Sequence, residues 1–195
     1  MGNLLSVYNA IEICGADVKI IRSPEGLNTV EKLILPGVGA FGDCINNLHV
    51  SGFVKPLINE VIKNKKPILG ICLGMQVMAR KSFEKGEHNG LGWFDAEIVQ
   101  ITPNDTSLKV PQIGWNEIII HGNNRLFEGI PNKPDFYFVH SYHMKCNNKI
   151  DVIATCEHGM TITAAIARDN IYATQFHPEK SQTLGLKILN NFIYL

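Results

Sequence analysis

One cysteine has the sequence surroundings of an enzymatic nucleophile. Cys72 lies two residues after Gly70 and two before Gly74, at the end of the apolar run 67–71. An apolar run that passes through Gly-x-Cys-x-Gly into a helix predicts a nucleophile elbow, a sharp turn in which glycines leave room for the backbone. The amino end of the following helix also favours a thiolate. We therefore predict that Cys72 is a nucleophile, although small buried apolar packing is the commoner role of a cysteine.

A histidine and a glutamate near the carboxyl end could serve this nucleophile. His177-Pro178-Glu179 follows a β-type run at 171–176. Pro178 disfavours helical dihedral angles at His177, and side chains two residues apart in an extended chain point the same way. Glu179 can then accept a hydrogen bond from one ring nitrogen of His177 while the other nitrogen faces Cys72. The pattern predicts a catalytic triad; considered alone, the motif also fits an ordinary surface loop.

Two glycines after another predicted strand are candidates for an oxyanion hole. Gly37 and Gly39 follow the apolar run 33–35. Glycine lets a backbone N–H approach a bound substrate closely. The N–H of Leu73, the residue after the nucleophile, would be the second donor, as in other elbow enzymes. On this segment alone, a simple turn explains the glycines equally well.

The elements that would hold these residues alternate in the first half of the chain. Helical spacing of apolar residues predicts a helix at 4–13 that Gly15 ends, and short apolar runs predict strands at 18–21, 33–35 and 67–71. Further helices are predicted at 43–48, 54–63 and 75–80. This alternation indicates a parallel sheet covered by helices, with functional loops at the carboxyl ends of its strands.

The second half of the chain is richer in strands. Predicted strands lie at 96–101, 117–120, 136–139, 152–156, 161–167 and 171–176. Several of these should pair antiparallel, and an amphipathic helix at 181–194 closes the chain. We therefore predict a three-layer, flavodoxin-like α/β fold with a mostly parallel mixed sheet and helices on both faces.

Composition limits the classes of function. We expect a single domain over 1–195, since this length can bury a substantial core. Lys plus Arg and Asp plus Glu number 18 each, so no net charge attracts nucleic acid or an acidic membrane surface. The five cysteines include no C-x-x-C pair, which favours a reducing cytoplasm over a disulfide framework. No apolar run approaches the roughly 20 residues that span a bilayer.

Together these motifs resemble a known family. The elbow, the Pro-Gly-Val-Gly-Ala-Phe-Gly run at 36–42 and the His-Pro-Glu-Lys-Ser run at 177–181 are similar to those of class I glutamine amidotransferases. Within that family the chain most resembles the glutaminase subunits of imidazole glycerol phosphate synthase, from histidine biosynthesis. The segments that carry this closer resemblance extend over nearly the whole chain: Gly2-Asn3-Leu4, 69–76, 114–116, 137–142 and 177–181.

The resemblance implies a reaction that needs no cofactor and no metal. Cys72 would attack the side-chain amide of glutamine, and His177 would protonate the departing ammonia. Water activated by His177 would then hydrolyse the thioester left on Cys72 and release glutamate, while Glu179 holds the imidazole in place.

The resemblance also implies substrate contacts and a partner protein. The corresponding substrate-binding positions are Gly37, Gly39, Leu73, Gln76, Glu84, Ser141 and Tyr142. Gln76, Glu84 and the backbone at 141–142 would hold the α-amino and α-carboxylate groups of glutamine. A barrel-shaped cyclase subunit would dock over the cleft as a heterodimer, near Asn3, Tyr142 and Lys180. It would receive the ammonia through a sealed channel, because free ammonia is protonated in water at neutral pH.

Two features depart from the family pattern. The family has a short strand just before the position of Met1, and its absence leads us to expect a misassigned or truncated start. A sheet without that strand would have unpaired backbone groups. In addition, Gln112 stands where a histidine is usual.

Three alternative functions remain open at this point. The segment 91–96 is similar to a paralogous branch with the same glutaminase chemistry, whose partner aminates a sugar precursor for surface glycans. A catalytically silent binding subunit would keep the fold without the reaction, but all three triad residues are present. A metal enzyme is suggested only by His140 and His143, whose spacing on a strand places their rings on opposite faces.

Overall fold

Residues 3–195 are described by a computed structural model, in which two β-sheets are flanked by helices. The strands are β1 (Leu33–Gly37), β2 (Ile68–Cys72), β3 (Ala79–Ser82), β4 (His88–Asn89), β5 (Phe94–Gln100), β6 (Gln112–Ile120), β7 (Asp135–His140), β8 (Tyr142–Cys146), β9 (Val152–Glu157), β10 (Thr161–Arg168) and β11 (Ile171–Thr174). The larger sheet has the order β1-β2-β11-β10-β9-β6-β7, and the smaller one β4-β3-β5-β8. Gly2, part of the first family-like segment, lies outside the described residues.

Three neighbouring strands of the larger sheet are parallel and end together. β1 pairs with β2 so that Gly37 is opposite Cys72. β2 also pairs with β11, which places Thr174 opposite Ile71. The residues that follow these strands therefore meet at one edge of the sheet, where α/β folds bind their ligands.

The rest of the larger sheet is antiparallel. β11 pairs with β10, β10 with β9, β9 with β6, and β6 with β7, all in antiparallel register. Antiparallel strands can be joined by tight turns, such as the one between β10 and β11, whereas parallel strands require long crossovers. The predicted mixed sheet is confirmed, but the prediction that it is mostly parallel is wrong for the larger sheet. Only β1, β2 and β11 pair in parallel there, and these are the strands that lead to the candidate nucleophile and base.

Helices cover both faces of the parallel strands. The α-helices are α1 (Leu4–Ile13), α2 (Phe41–Val50), α3 (Val54–Leu57), α4 (Leu73–Gln76) and α5 (Gln182–Ile193). In β2, Leu69 and Ile71 join one hydrophobic core with α1 and α5, whereas Ile68 joins a second core with α2 and α3. Both faces of β2 are therefore buried, which confirms the three-layer arrangement. The observed bounds of α1 are also those predicted from the sequence. Within residues 3–195, no helix is long and apolar enough to cross a bilayer.

Two predicted elements differ in the structure. Residues 18–21 form no strand, because a strand needs a hydrogen-bonded neighbour and, among the described strands, β1 pairs only with β2. The helix predicted at 75–80 ends at Gln76, and Ala79–Ser82 forms β3 instead. Here the pairing of β3 with β4 and β5 overrides the local helical pattern.

Candidate active site

The turn that follows β2 has the elbow geometry predicted from the glycine spacing. Cys72 is the last residue of β2 and precedes α4, with φ 54 and ψ −109. A positive φ is strained for a residue that carries a Cβ, and such strain is typical of nucleophiles on sharp turns. The Cys72 side chain is only 7% exposed. The strained turn therefore presents a largely enclosed sulfur at the carboxyl edge of the sheet.

The flanking glycines are required by close backbone packing. A Cβ added to Gly74 would lie 1.7 Å from the carbonyl oxygen of Leu35 in β1, and one added to Gly70 would lie 2.8 Å from the carbonyl oxygen of Gly74. Since both obstacles are backbone atoms, no side-chain rotation could relieve them. The glycines thus allow α4 to pack directly on β1 and β2.

His177 and Glu179 form a buried hydrogen-bonded pair just beyond β11. His177 is extended, with φ −100 and ψ 95, and its N–H donates to the carbonyl of Tyr137 in β7. Its Nδ1 lies 2.7 Å from Oε1 of Glu179, and both side chains are fully buried. The predicted hydrogen bond between the two side chains is present, but only His177 has the predicted extended conformation, because Pro178–Lys180 form a short 3-10 helix that contains Glu179. A buried carboxylate at Nδ1 holds the imidazole with Nε2 pointing away from Glu179.

The environment of His177 favours the imidazolium ion. Burial alone would lower the pKa of His177, but the interactions with Cys72 and Glu179 outweigh it and raise this pKa to about 9. Nε2 has no hydrogen-bond partner among residues 3–195. Nε2 is therefore available to the Cys72 sulfur, and hydrogen bonds between catalytic groups are often long before substrate binds.

The predicted oxyanion residues adjoin the elbow. Gly37 is opposite Cys72 in the β1–β2 register, and a Cβ at Gly37 would lie 3.0 Å from the Cβ of Leu73. Gly39 has φ 106, a conformation that glycine adopts without strain. The structure thus brings Gly37, Gly39 and Leu73 to the same edge as the sulfur.

The predicted substrate-binding side chains lie around this edge, and several already have partners. Gln76 is buried and donates through Nε2 to the carbonyl oxygen of Tyr142, at 2.9 Å. The carbonyl of Ser141 accepts from the N–H of Ile101. Glu84 accepts from the N–H of Phe41, the first residue of α2, at 2.8 Å. These contacts fix the positions of the side chains and leave the second oxygen of Glu84 and Oε1 of Gln76 for other contacts.

Two of the predicted partner-facing residues occupy different settings. The Nδ2 of Asn3 donates to Oε1 of Glu179 and lies 3.3 Å from Nδ1 of His177. Lys180 is exposed, and its Nζ lies 5.7 Å from the centre of the Tyr137 ring. Asn3 thus contacts the histidine–glutamate pair, a contact that spans 176 residues of sequence and that no local pattern predicts.

The structure also adds residues that the sequence motifs did not identify. Gln175 is completely buried, and its Nε2 lies 3.6 Å from the Cys72 sulfur. The available signal was its position two residues before His177, at the end of the predicted strand 171–176. Gln112, the departure from the family pattern, lies 3.0 Å from Nε2 of His140, whose Nδ1 is 2.8 Å from the Tyr142 carbonyl oxygen. Gln112 thus braces the strand that leads to Ser141.

Possible metal ligands do not cluster within the described part of the chain. No group of three or more His, Cys, Asp or Glu residues there could hold a metal ion. Of the two histidines considered above, His140 is held by Gln112, and His143 lies buried in β8.

Comparison with known proteins agrees with this geometry. Residues 2–195 match the family model of class-I glutamine amidotransferases. Imidazole glycerol phosphate synthase subunit HisH 1 of Campylobacter jejuni is 48% identical over all of this chain and 96% of its own length. Subunit HisH of Agrobacterium fabrum is 43% identical, covering 98% of this chain and 94% of its own. The solved structure of PurLQS from Thermotoga maritima shares the fold, with a TM-score of 0.72 at 18% identity, over 97% of this chain and 91% of its own.

The match to the family model covers nearly the whole chain and includes the elbow, the histidine–glutamate pair and the glycine loop of β1. The chain therefore belongs to the class I glutamine amidotransferase family.

Proposed function

We propose that this protein is the glutaminase subunit of an imidazole glycerol phosphate synthase, which hydrolyses glutamine and passes the ammonia to a cyclase subunit in histidine biosynthesis. The observation that carries the proposal is the strained Cys72 elbow at the same sheet edge as the buried His177–Glu179 pair. The relatives that share 43–48% of this sequence are named as subunits of that synthase. We also propose that residues 1–195 act as one domain, in the cytoplasm.

The first half of the reaction forms a thioester. The Cys72 thiolate attacks the side-chain amide carbon of glutamine, and the carbonyl oxygen becomes an oxyanion that accepts hydrogen bonds from backbone N–H groups of the 37–39 loop and of Leu73. As the C–N bond breaks, His177 gives its proton to the nitrogen, and ammonia leaves. The raised pKa of His177, about 9, keeps this proton available at neutral pH.

The second half releases glutamate. His177 is now neutral and takes a proton from water, whose oxygen attacks the thioester carbon. The C–S bond then breaks, which regenerates the Cys72 thiolate and the imidazolium. Glu179 accepts a hydrogen bond from Nδ1 throughout, so that Nε2 remains directed at the reacting atoms.

Residues around the elbow would hold the remaining groups of glutamine. Oε1 of Gln76 can accept from the α-ammonium group, because its Nε2 is already bonded to Tyr142. Glu84 has a second carboxylate oxygen for the same positive charge. Backbone N–H groups at 141–142 are the proposed donors to the α-carboxylate. The reaction as proposed uses no metal and no cofactor.

An exposed aromatic patch beside the site supports the proposed cyclase interface. We define this patch by Trp115, Tyr137 and Lys180. Trp115 is 48% exposed and packs edge-on against Tyr137, over which Lys180 lies. Aromatic side chains are enriched at protein interfaces, and Lys180 is only three residues from His177. A partner that covers the patch, together with Tyr142, would also cover the cleft and retain ammonia.

Glutamine labelled with ¹⁵N in its side-chain amide provides the test. The chain would be incubated with this substrate alone and with an imidazole glycerol phosphate cyclase, and glutamate and labelled products would be measured. We expect glutamate release that increases with the partner, and label in the imidazole product rather than in free ammonium. Label transfer only with a partner that aminates a sugar precursor would instead assign the paralogous function, and no release with either partner would contradict glutaminase activity.

Asn3→Ala should slow the reaction even though Asn3 does not contact substrate in this proposal. The change removes a donor to Oε1 of Glu179, and loss of a hydrogen bond to a charged group slows turnover by about tenfold or more. KM should change little, because only the orientation of His177 is affected. The measurement is kcat and KM with and without the cyclase.

A matched control for this change is Asn191→Ala. Asn191 lies on α5, away from the elbow, and its side chain donates to the carbonyls of Leu126 and Glu128. It should lose some stability while keeping kcat. If Asn3→Ala weakened cyclase binding and left turnover of the saturated complex unchanged, Asn3 would be an interface residue only, as the sequence first indicated.

A further inference from the structure

The side chain of Gln175 connects the nucleophile to the proposed substrate pocket, and the reaction scheme above gives it no role. It is 0% exposed, which is costly for an amide unless its polar atoms are paired. Its Oε1 lies 2.9 Å from Nε2 of Gln76, and its Nε2 lies 3.6 Å from the sulfur of Cys72. Both ends of the amide are therefore engaged, one of them with the reacting atom.

The donor and acceptor ends of the two glutamine amides are fixed by a backbone carbonyl that Gln76 contacts. The carbonyl oxygen of Tyr142 can only accept, so Gln76 must direct its NH₂ group toward it. The same NH₂ group faces Gln175, which must therefore present its oxygen to Gln76. The NH₂ group of Gln175 is then left facing the sulfur. No other orientation of the two amides satisfies all three contacts, so the donor at the sulfur does not depend on how the amides are assigned.

We propose that Gln175 is a positioning residue that donates a hydrogen bond to the Cys72 thiolate, and that Gln76 and the Tyr142 carbonyl hold it in that orientation. The inference rests on the proposed glutaminase function. A donor stabilises a charged sulfur more than a neutral thiol, because charge-assisted hydrogen bonds are the stronger kind. Gln175 thus favours the nucleophilic form of Cys72 and holds the sulfur at the edge of the cleft. After acylation the sulfur is uncharged, and this bond weakens.

Alkylation of Cys72 by iodoacetamide as a function of pH tests the bond without glutamine or a partner. The rate would be followed by mass spectrometry of the peptide that contains Cys72, which separates it from the other four cysteines. Thiolate is the reactive form, so the pH midpoint of the rate profile reports how strongly the protein favours it. For Gln175→Leu we expect the midpoint to move up by about one pH unit, and kcat for glutamine to fall about tenfold.

Two further variants keep the test decisive. Gln175→Glu retains an oxygen for Gln76 and places a carboxylate instead of a donor at the sulfur, so its midpoint should rise at least as far. If Gln175→Leu does not fold, Gln175→Glu provides the same test. Gln76→Leu should raise the midpoint as well, although Gln76 does not touch the sulfur, because it releases the Gln175 amide from its fixed orientation.

Asn170→Leu is the matched control, since Asn170 lies at the opposite end of β11 and donates from its side-chain amide to the carbonyls of Val61 and Lys66. It should lower the melting temperature and leave the alkylation midpoint unchanged. An unchanged midpoint in folded Gln175→Leu and Gln175→Glu would overturn the inference, as would an equal shift in Asn170→Leu. Failure of the glutaminase proposal would instead appear as absence of glutamine hydrolysis by the unaltered chain with either partner. The alkylation profile can be measured in that case too, because it needs neither glutamine nor a partner.

Discussion

Cys72→Ala should abolish glutamine hydrolysis, with a fall of at least about 1,000-fold in kcat in the presence of the cyclase. The sulfur forms the covalent bond on which the proposed mechanism depends, and alanine has no atom that could replace it. The fold should persist, because the side chain is small and alanine tolerates the same space. The measurement is glutamate release by the purified complex, combined with thermal unfolding of the variant.

Cys44→Ala is the matched control for the nucleophile. Burial raises the pKa of Cys44 to about 11, so this residue is a neutral thiol at pH 7. It lies in α2 and packs against the second hydrophobic core, and its loss should leave kcat within about twofold of the unaltered chain. Glutamate release by Cys72→Ala at the rate of Cys44→Ala would exclude the thioester mechanism and would favour a silent binding subunit or another nucleophile.

Among alanine substitutions of the glycines near the elbow, Gly74→Ala should reduce stability the most. Its Cβ would lie 1.7 Å from the Leu35 carbonyl oxygen, so β1 and α4 must separate. Moving backbone in a packed core costs more than about 3 kcal/mol of unfolding free energy, at the upper end of single substitutions. Because the displaced segments also carry Gly37 and Leu73, hydrolysis should be lost together with stability. Thermal or urea-induced unfolding, measured beside the glutaminase assay, would show both effects.

A second glycine offers the same substitution with a different obstacle. A Cβ at Gly42 would lie 2.7 Å from the ring of His88, which is half-buried and can rotate. In addition, alanine is the better helix former within α2. Gly42→Ala should therefore change the unfolding free energy by no more than about 1 kcal/mol. If Gly74→Ala and Gly42→Ala had the same unfolding free energy, the contact between α4 and β1 would be looser than the structure indicates.

Gln112 illustrates how a departure from a family pattern acquires a meaning only in three dimensions. The resemblance indicated that a histidine is usual at this position and implied no consequence. In the fold, the Gln112 side chain is buried and paired with His140, which in turn binds the Tyr142 carbonyl. That carbonyl also orients Gln76. Gln112 therefore supports the proposed substrate pocket indirectly, through two hydrogen bonds that connect it to the Tyr142 carbonyl.

The sequence alone determined those features that depend on neighbouring residues. The bounds of α1 followed from apolar spacing and Gly15, and the extended conformation of His177 followed from the proline after it, because each is set by local dihedral preferences. The elbow was predictable for the same reason. Only its glycine contacts with β1 required coordinates.

Tertiary structure alone decided the features that depend on segments far apart in the chain. Residues 18–21 have the composition of a strand but lack a hydrogen-bonded neighbour among the described residues, and Ala79–Ser82 pairs as β3 where the local pattern was helical. The contacts of Asn3 with Glu179 and of Gln175 with Cys72 span 176 and 103 residues. Such contacts arise when strand register brings side chains to one edge of a sheet, and local preferences carry no information about that register.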